Sequence, residues 1–599
     1  MIEHYVIIGI TVAALILFAS EIIRADFVAI FVALTLMILG YVTVNEGFSG
    51  FSNPAVITVI AMFILSSGLV RTGVADYVAE LILKFGGKSS TLLILMVMIS
   101  VGTMSAFMNN IGAVAILIPT LFIISENLKY PINKLLIPLS FGSLLGGLVT
   151  LIGTPPNLLI STLLEDNGFS GFKMFDFAPT GLIILISGVL YMIFIGRHLI
   201  PVREKDNQLT KQFRLNNYLS EVILPENSKY VNKTIQNCNI HNDLGITILR
   251  IQRNIDGNTE IIDPKPEILL LPNDRLIVEG NISKLIENKN NKHIQITSSK
   301  KFSDKDLTDE EIELSEVVIS NNSHFIGRSI VENDIHKLYG VIVLALKRGI
   351  RTVVEGFQNM PVEAGDVFLI QGKKEAITNL ALSPDFTVVN RLEHDLRNLK
   401  KAPLALIIMI LTILSAALGI LHISVAGMLG ALIMTLTGCI KLEDIYNNVE
   451  WRVIFLIAGM MPLGIAMDNN HTGTAQWLAN NIVTQVGDFG PLVMLGTIFI
   501  FTTIITQIMS NAAAALLIGP IALAISNGFG LQPYPFMMAV AISASTSFLT
   551  PISHQANMLV YGVGNYKFLD FVRVGGPLNL VILIISLFLI PIIWPFKPL

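Results

Sequence analysis

The chain has 599 residues, 52% of them hydrophobic and 14% charged, with a formal net charge of −4 and a mean hydropathy of +0.66. Soluble proteins carry about 25% charged residues, so a purely soluble enzyme is excluded, and no basic patch argues for a nucleic-acid partner. Two cysteines in different regions, Cys238 and Cys439, suggest neither a disulfide framework nor a metal knuckle.

The charge deficit is uneven. Residues 1–200 form a long apolar stretch broken by short polar loops. The start, MIEHYVIIGI, lacks a basic region and a cleavage site, so it reads as a first span rather than a removed signal. A bilayer core needs about 20 apolar residues per helix, which predicts spans near 4–20, 26–44, 54–71, 134–163 and 177–199. A further apolar pair at 90–127 is interrupted by Met108-Asn109-Asn110.

Residues 201–401 are polar and internally repeated. LSEVILPENSKYVNKTI at 219–235 returns as LSEVVISNNSHFIGRSI at 314–330, and PNDRLIVEG near 272–280 as AGDVFLIQG near 364–372. Short alternating strands with Asn, Gly and Pro turns predict two tandem small α/β domains, 205–298 and 305–392, joined by the charged linker Lys300–Glu313. The second apolar half, 400–599, predicts spans near 402–420, 423–440, 452–467, 535–563 and 575–595, and a second interrupted pair at 490–527 with its tip at Met509-Ser510-Asn511.

The halves share sequence at an offset of about 400. AFMNNIGAVAILIPTLFIIS at 106–125 aligns with QIMSNAAAALLIGPIALAIS at 507–526, LVTLIGTPPNLLI at 148–160 with FLTPISHQANMLV at 548–560, and FILSSGLVRTG at 63–73 with FLIAGMMPLGI at 455–465. If each interrupted pair is a re-entrant hairpin, each half has five spans. That odd number inverts the second half relative to the first. Basic residues agree: the expected inner loops carry Arg24, Arg71, Lys84, Lys88, Lys129, Lys134, Arg197 and Arg203, then Lys400, Lys401, Lys441, Arg452, Lys567 and Arg573. The expected outer segments 41–53, 468–489 and 528–534 carry none, and 164–176 only Lys173. The positive-inside rule then puts both termini outside and residues 201–401 in the cytoplasm of a multi-pass inner-membrane protein.

Polar backbone at membrane depth is tolerated only where it is buried in protein or lines a cavity. Four such places occur in matched pairs: the tips Asn109-Asn110 and Ser510-Asn511, and the breaks Gly153-Thr154-Pro155-Pro156-Asn157 and Thr550-Pro551-Ile552-Ser553-His554-Gln555-Ala556-Asn557. One turn before each tip stands a hydroxyl, Ser105 or Thr506. Proline breaks a helix, and the second segment then presents free N–H groups and a positive dipole end to an anion. Carbonyls ending the first segment suit a small cation. This is the constellation of a cation-coupled anion carrier. Substrate candidates are Asn109, Asn110, Thr154, Asn157, Ser510, Asn511, Ser553, His554 and Asn557; cation candidates are Ser105, Asn109, Gly153, Thr506, Ser510 and Thr550. His554 has three readings: substrate contact, proton carrier or structural hydrogen bond. A single Asn in a span is as readily a cap or a packing contact. GGKSS at 86–90 is no phosphate loop, since Ile82 stands where that motif needs Gly. No GxSxG or HExxH motif points to an enzyme, and no covalent cofactor is expected.

At the tips and GTPPN the sequence resembles the divalent anion:sodium symporter family, within the wider ion-transporter superfamily. TPISHQANMLVYGVGNYKFLDFVRVGGPLNL at 550–580 looks like its sulfate-permease-type branch, and the middle repeats resemble RCK C-terminal (TrkA-C) domains. The resemblance implies an elevator-type homodimer coupled to Na⁺. In it, Ser105, Asn109, Asn110 and the Gly153–Asn157 break form one cation site. Thr506, Ser510, Asn511 and the Thr550–Asn557 break form the other, with Asn110 and Asn511 facing the anion between them. The sequence departs from the pattern at Asn109, where the family has Ser, and at Ile111 and Ala512, where it has Thr. Those threonines hold carboxylates in dicarboxylate carriers, so their loss shifts the expectation toward sulfate. The expected function is therefore a Na⁺- or H⁺-coupled symporter of a small divalent oxyanion in the lipid bilayer, with a small cytoplasmic ligand on the middle domains. A dicarboxylate carrier, a metalloid efflux permease and a membrane sensor are the alternatives.

Overall fold

The computed structural model describes residues 2–20, 23–74, 82, 89–201, 219–244, 246–255, 258–262, 264–279, 293–297, 312–320, 323–348, 351–353, 356–381, 383, 385–388, 401–468, 470–486 and 490–597. Lys84, Lys88, Arg203, Lys400, most of the 300–313 linker and the first three residues of GGKSS lie outside them. The chain divides into two compact units, one of Met1–Val202 with Leu392–Leu599, the other of Arg203–Arg391.

The first unit is helical. Its longer helices are α1 Ile2–Ser20, α2 Ala25–Ile38, α3 Pro54–Arg71, α4 Ser90–Ser105, α5 Asn110–Leu128, α6 Asn133–Gly147, α7 Pro155–Asp166 and α8 Ala178–Tyr191, then α9 Ala402–Ala417, α10 Ile423–Leu436, α11 Trp451–Met467, α12 Thr474–Val486, α13 Pro491–Ile505, α14 Asn511–Gly528, α15 Tyr534–Ala544, α16 Gln555–Val563 and α17 Phe568–Ile593. Val44–Arg71, Ala178–Leu199, Asn511–Gly528 and Phe568–Ile593 are long and apolar enough to cross a membrane, and most of the others are shorter apolar helices. Ile407, Ile410 and Leu411 on α9, and Phe588 and Ile592 on α17, are large, apolar and exposed. A bilayer supplies the cover such surface needs.

Several helices begin where the chain supplies its own caps. Pro54, Pro155 and Pro491 occupy first positions, where a missing N–H costs nothing. Asn53 Oδ1 accepts from the Ala55 N–H at 2.8 Å. Both long interrupted spans end and restart: residues 148–154 separate α6 from α7, which restarts at Pro155, and 545–554, with Pro551 inside, separate α15 from α16. The second gap opens at Ser545, upstream of the Thr550 expected from sequence.

One segment differs from expectation. Residues 468–489, read as an outer connection, contain α12, which packs on α14 and α1. Ala475 and Ala479 are buried one turn apart, while the amides Gln476, Asn480 and Asn481 dilute the apolar signal of the segment below that of a span.

Packing within and between the halves is reciprocal. α2 packs on α11, and its counterpart α10 on α3; α5 packs on α16, and α14 on α7; α4 packs on α6, and α13 on α15; α8 and α17 pack on each other.

The second unit holds two antiparallel sheets. Strands β1 Leu219–Ile223, β2 Thr247–Ile255, β3 Asn258–Ile262, β4 Arg275–Glu279 and β5 Gln295–Thr297 run in the order β3-β2-β4-β1-β5. Strands β6 Ile312–Ile319, β7 Val341–Arg348, β8 Arg351–Val353, β9 Val367–Lys373 and β10 Phe386–Val388 run β10-β6-β9-β7-β8. These are one topology written from opposite ends. The repetition extends to detail: each second strand is irregular at one place, between Ile248 and Arg250 or between Val343 and Ala345. Left-handed residues recur at Asn232 and Gly327, Asn239 and Asp334, and Asn273 and Gly365. A forked guanidinium–carboxylate pair also recurs, Arg253 with Asp274 and Arg348 with Asp366.

Candidate ion and anion site

The site is assembled from helix ends. A helix leaves its last carbonyls and first N–H groups without internal partners, and at each break one Asn deals with the carbonyls. Asn157, one turn into α7, donates from Nδ2 to the Thr150 carbonyl at 2.8 Å and the Gly147 carbonyl at 3.3 Å. Asn557, on α16, donates to the Thr550 carbonyl at 3.2 Å and the Ser547 carbonyl at 2.7 Å. Both Asn side chains are fully buried. Gly153 permits the fold of the first break: a Cβ there would lie 2.5 Å from the Gly147 carbonyl oxygen.

Each hairpin tip is tied to its neighbouring break. In the first, the Ser105 hydroxyl donates to Asn110 Oδ1 and the Thr150 hydroxyl to the Ala106 carbonyl. In the second, the Thr506 hydroxyl lies 2.9 Å from Asn511 Oδ1 and 2.6 Å from the Ala544 carbonyl, and Ser547 donates to Asn511 Oδ1 at 2.6 Å. Gln507, which replaces Ala106, donates to the Thr546 carbonyl and accepts from the Leu549 N–H. Caps complete the tips. Asn109 Oδ1 accepts from the Ile111 N–H at 3.1 Å and Ser510 Oγ from the Ala513 N–H at 3.3 Å. Ser553 donates within its own loop, to the Thr550 and Ser547 carbonyls.

Sequence-predicted residues from both halves meet at one cavity of about 50 Å³. Asn109, Asn110, Gly153, Thr154 and His554 line it, with apolar walls that include Val59, Met62 and Phe63. Three helix N-termini border it: α5 at Asn110, α7 behind its N-cap Thr154, and α16 behind its N-cap His554. No lining residue is charged. Ser105, Thr506, Ser510, Asn511, Thr550, Ser553, Asn157 and Asn557 are not on the lining. Apart from Ser510, which is exposed, and Thr550, which is half-buried, they form two buried clusters that hold the tips and breaks. Within those clusters, among the described residues, Asn157 Oδ1 and Asn511 Nδ2 have no hydrogen-bond partner.

Several participants were not marked by the sequence pattern. Asn109 Nδ2 donates to Glu450 Oε1 at 3.2 Å, a carboxylate in the turn before α11. Ser140 donates to Asn557 Oδ1 at 2.6 Å. Phe63 opens the FILSS repeat and Met62 immediately precedes it, yet nothing in the sequence sets either apart as lining.

Comparison with known proteins finds membrane transporters. A protein-family model described as "Citrate transporter" matches residues 15–533 and 470–597. The chain is 35% identical over 599 residues to "Uncharacterized transporter sll0640" of Synechocystis, covering 99% of this chain and 97% of the relative. It is 31% identical to "Uncharacterized transporter YfbS" of Escherichia coli, covering 98% and 99%. It is 21% identical to "Sodium/sulfate cotransporter 1" of Chlamydomonas reinhardtii, covering 98% and 89%.

Proposed function

The chain belongs to the citrate transporter family of membrane transporters, and within that family we propose that it is a cation-coupled carrier of a small divalent oxyanion, sulfate in the first place. The observation that carries this is the cavity where three helix N-termini converge with the Asn110 amide, the Thr154 hydroxyl and the His554 ring. Helix N-termini favour negative charge, and neutral donors accommodate an anion that is picked up and released without a fixed counter-charge. The cavity has room for roughly three to five waters. That suits a compact tetrahedral anion better than an extended tricarboxylate. Ile111 and Ala512, in place of threonines, remove carboxylate donors. The similarity to a sodium/sulfate cotransporter supports the same choice.

The coupling ion is Na⁺, with H⁺ as the competing choice. The open acceptor Asn157 Oδ1 lies beside the first tip and break, where Ser105, Asn109, Asn110 and the Gly153 carbonyl would complete a cation shell. Thr506, Ser510, Asn511 and the Thr550 carbonyl would form its counterpart. Reciprocal packing of α2 on α11 and α10 on α3 supports two inverted halves, with α4–α8 and α13–α17 moving as an elevator in a homodimer. The unit of Arg203–Arg391, with one topology twice, is read as a pair of TrkA-C-like domains on the cytoplasmic side, binding a small ligand that biases transport.

Uptake into proteoliposomes decides the reading. Radiolabelled sulfate should enter when a Na⁺ or H⁺ gradient is imposed and should be competed by sulfate better than by citrate or succinate. Preference for the carboxylates would move the assignment to a dicarboxylate or tricarboxylate carrier. Flux indifferent to every gradient would remove the symport mechanism.

A further inference from the structure

We propose that His554 is locked as the Nε2–H tautomer and acts as a fixed hydrogen-bond donor to the carried anion, so that the site prefers oxyanions that bear no proton. The proposal rests on the anion-carrier reading above and assigns a role within that site.

Three observations carry it. First, His554 is the N-cap of α16, and its Nδ1 accepts from the Ala556 N–H at 3.1 Å. A ring nitrogen that accepts holds no hydrogen, so the neutral ring's hydrogen is on Nε2. Protonating Nδ1 would set N–H against N–H and put a positive charge at the positive end of a helix. The cap therefore removes the proton-carrier role open to this residue from sequence alone. Second, the ring lines the cavity beside Asn110 and Thr154, and among the described residues no protein group accepts from Nε2. Third, the acceptor atoms of the neighbouring amides are engaged. Asn109 Oδ1 takes the Ile111 N–H and Asn110 Oδ1 the Ser105 hydroxyl. What the lining side chains have left for a ligand is Asn110 Nδ2, His554 Nε2–H and the rotatable Thr154 hydroxyl, with no carboxylate among them.

A set of donors suits an anion whose oxygens all accept. Hydrogen phosphate has the charge and nearly the shape of sulfate, but its O–H needs an acceptor. Among the lining side chains only the Thr154 hydroxyl can accept it, by turning a lone pair rather than its hydrogen to the ligand, and that exchange costs binding. Monofluorophosphate keeps the tetrahedral shape and the double charge without the O–H.

The test uses the full-length protein in proteoliposomes with radiolabelled sulfate at mildly alkaline pH. Monofluorophosphate should compete within roughly threefold of unlabelled sulfate, and phosphate at least about tenfold more weakly. Equal competition by phosphate overturns the proposal. Two substitutions separate the two ring nitrogens. His554→Asn keeps an acceptor at the cap but lacks the reach of Nε2, and should raise the KM for sulfate about tenfold with an unchanged melting temperature. His554→Gln reaches the Nε2 position without the cap, and should melt lower yet keep the sulfate KM within roughly threefold. The reverse pattern, or two variants that bind like wild type, overturns the proposal. If neither variant folds, the competition with wild-type protein stands as the deciding result. A wild-type protein that takes up sulfate but fails these tests refutes the histidine role alone; one that takes up no oxyanion refutes the carrier reading and this inference with it.

Discussion

Ser140, on α6 of the first half, donates a 2.6 Å hydrogen bond to Oδ1 of Asn557, on α16 of the second. Both residues are fully buried, and the Asn557 amide already holds the Thr550 and Ser547 carbonyls of its own break. One hydroxyl in one half therefore fixes the loop geometry of the other. Ser140→Ala would strand a buried acceptor at a cost of about 1–3 kcal/mol. A thermal melt of the solubilised protein should show a lowered midpoint, and an unchanged midpoint would mean that the break does not depend on this bond.

The matching position in the second half is Val540, which has no hydroxyl to offer Asn157 Oδ1. That oxygen is the open acceptor assigned to the coupling cation. Val540→Ser supplies a competing donor, so the Na⁺ concentration for half-maximal uptake should rise about threefold or more. An unchanged Na⁺ dependence would take Asn157 out of the cation site.

Gly147 and Ser547 are also counterparts. Ser547 donates to Asn511 Oδ1, whereas a Cβ on Gly147 would lie 2.9 Å from Asn110 Oδ1 and 3.2 Å from the Gly153 carbonyl. Gly147→Ala should displace the Asn110 amide and cut uptake by about tenfold with the protein still folded, since overpacking shifts neighbours at a cost of about 1–3 kcal/mol. Wild-type uptake by this variant would show that the first tip is not held as tightly as its geometry implies.

In the second unit the short helix Ile330–Asn333 begins with a capping box. The Ser329 hydroxyl accepts from the Glu332 N–H, and the Glu332 carboxylate accepts from the Ser329 N–H. The Ser329 N–H, and then its hydroxyl, hold the Glu332 carboxyl below its ordinary 4.5. A depressed folded-state value means stabilisation that is complete above the ordinary value and lost as the pH falls through the lowered one. Glu332→Gln should therefore speed hydrogen exchange of these amides relative to wild type at neutral pH, and the difference should vanish in acid. A difference independent of pH would assign the effect to packing.

The tips and breaks were legible because proline and amides inside apolar runs have few explanations, and their recurrence at matched positions removed most of them. What each amide does was not legible. Asn110 and His554 reach a shared cavity, while Asn157 and Asn557 face inward to satisfy carbonyls. A motif such as GTPPN contains both kinds side by side. The Ser140–Asn557 bond joins residues 417 positions apart, so only the packed helices reveal it. Glu450 was missed because a lone carboxylate in a turn leaves no periodic trace. Helix α12 was missed because its amides outweigh its apolar face. In the second unit the duplicated phrases coincide with β1 and β4 and with β6 and β9, while the other strands of each sheet lie outside them, since their pairing is set by contacts along the sheet rather than by a repeated phrase.

Exchange of radiolabelled sulfate across proteoliposomes loaded with unlabelled sulfate tests the central claim without assuming a coupling ion. The wild-type protein should exchange sulfate, and Asn110→Ala should abolish exchange while the protein still folds, with a melting temperature lowered only by the loss of the Ser105 bond. Exchange by Asn110→Ala at the wild-type rate would place the anion site elsewhere, and a wild-type protein that exchanges no oxyanion would contradict the account.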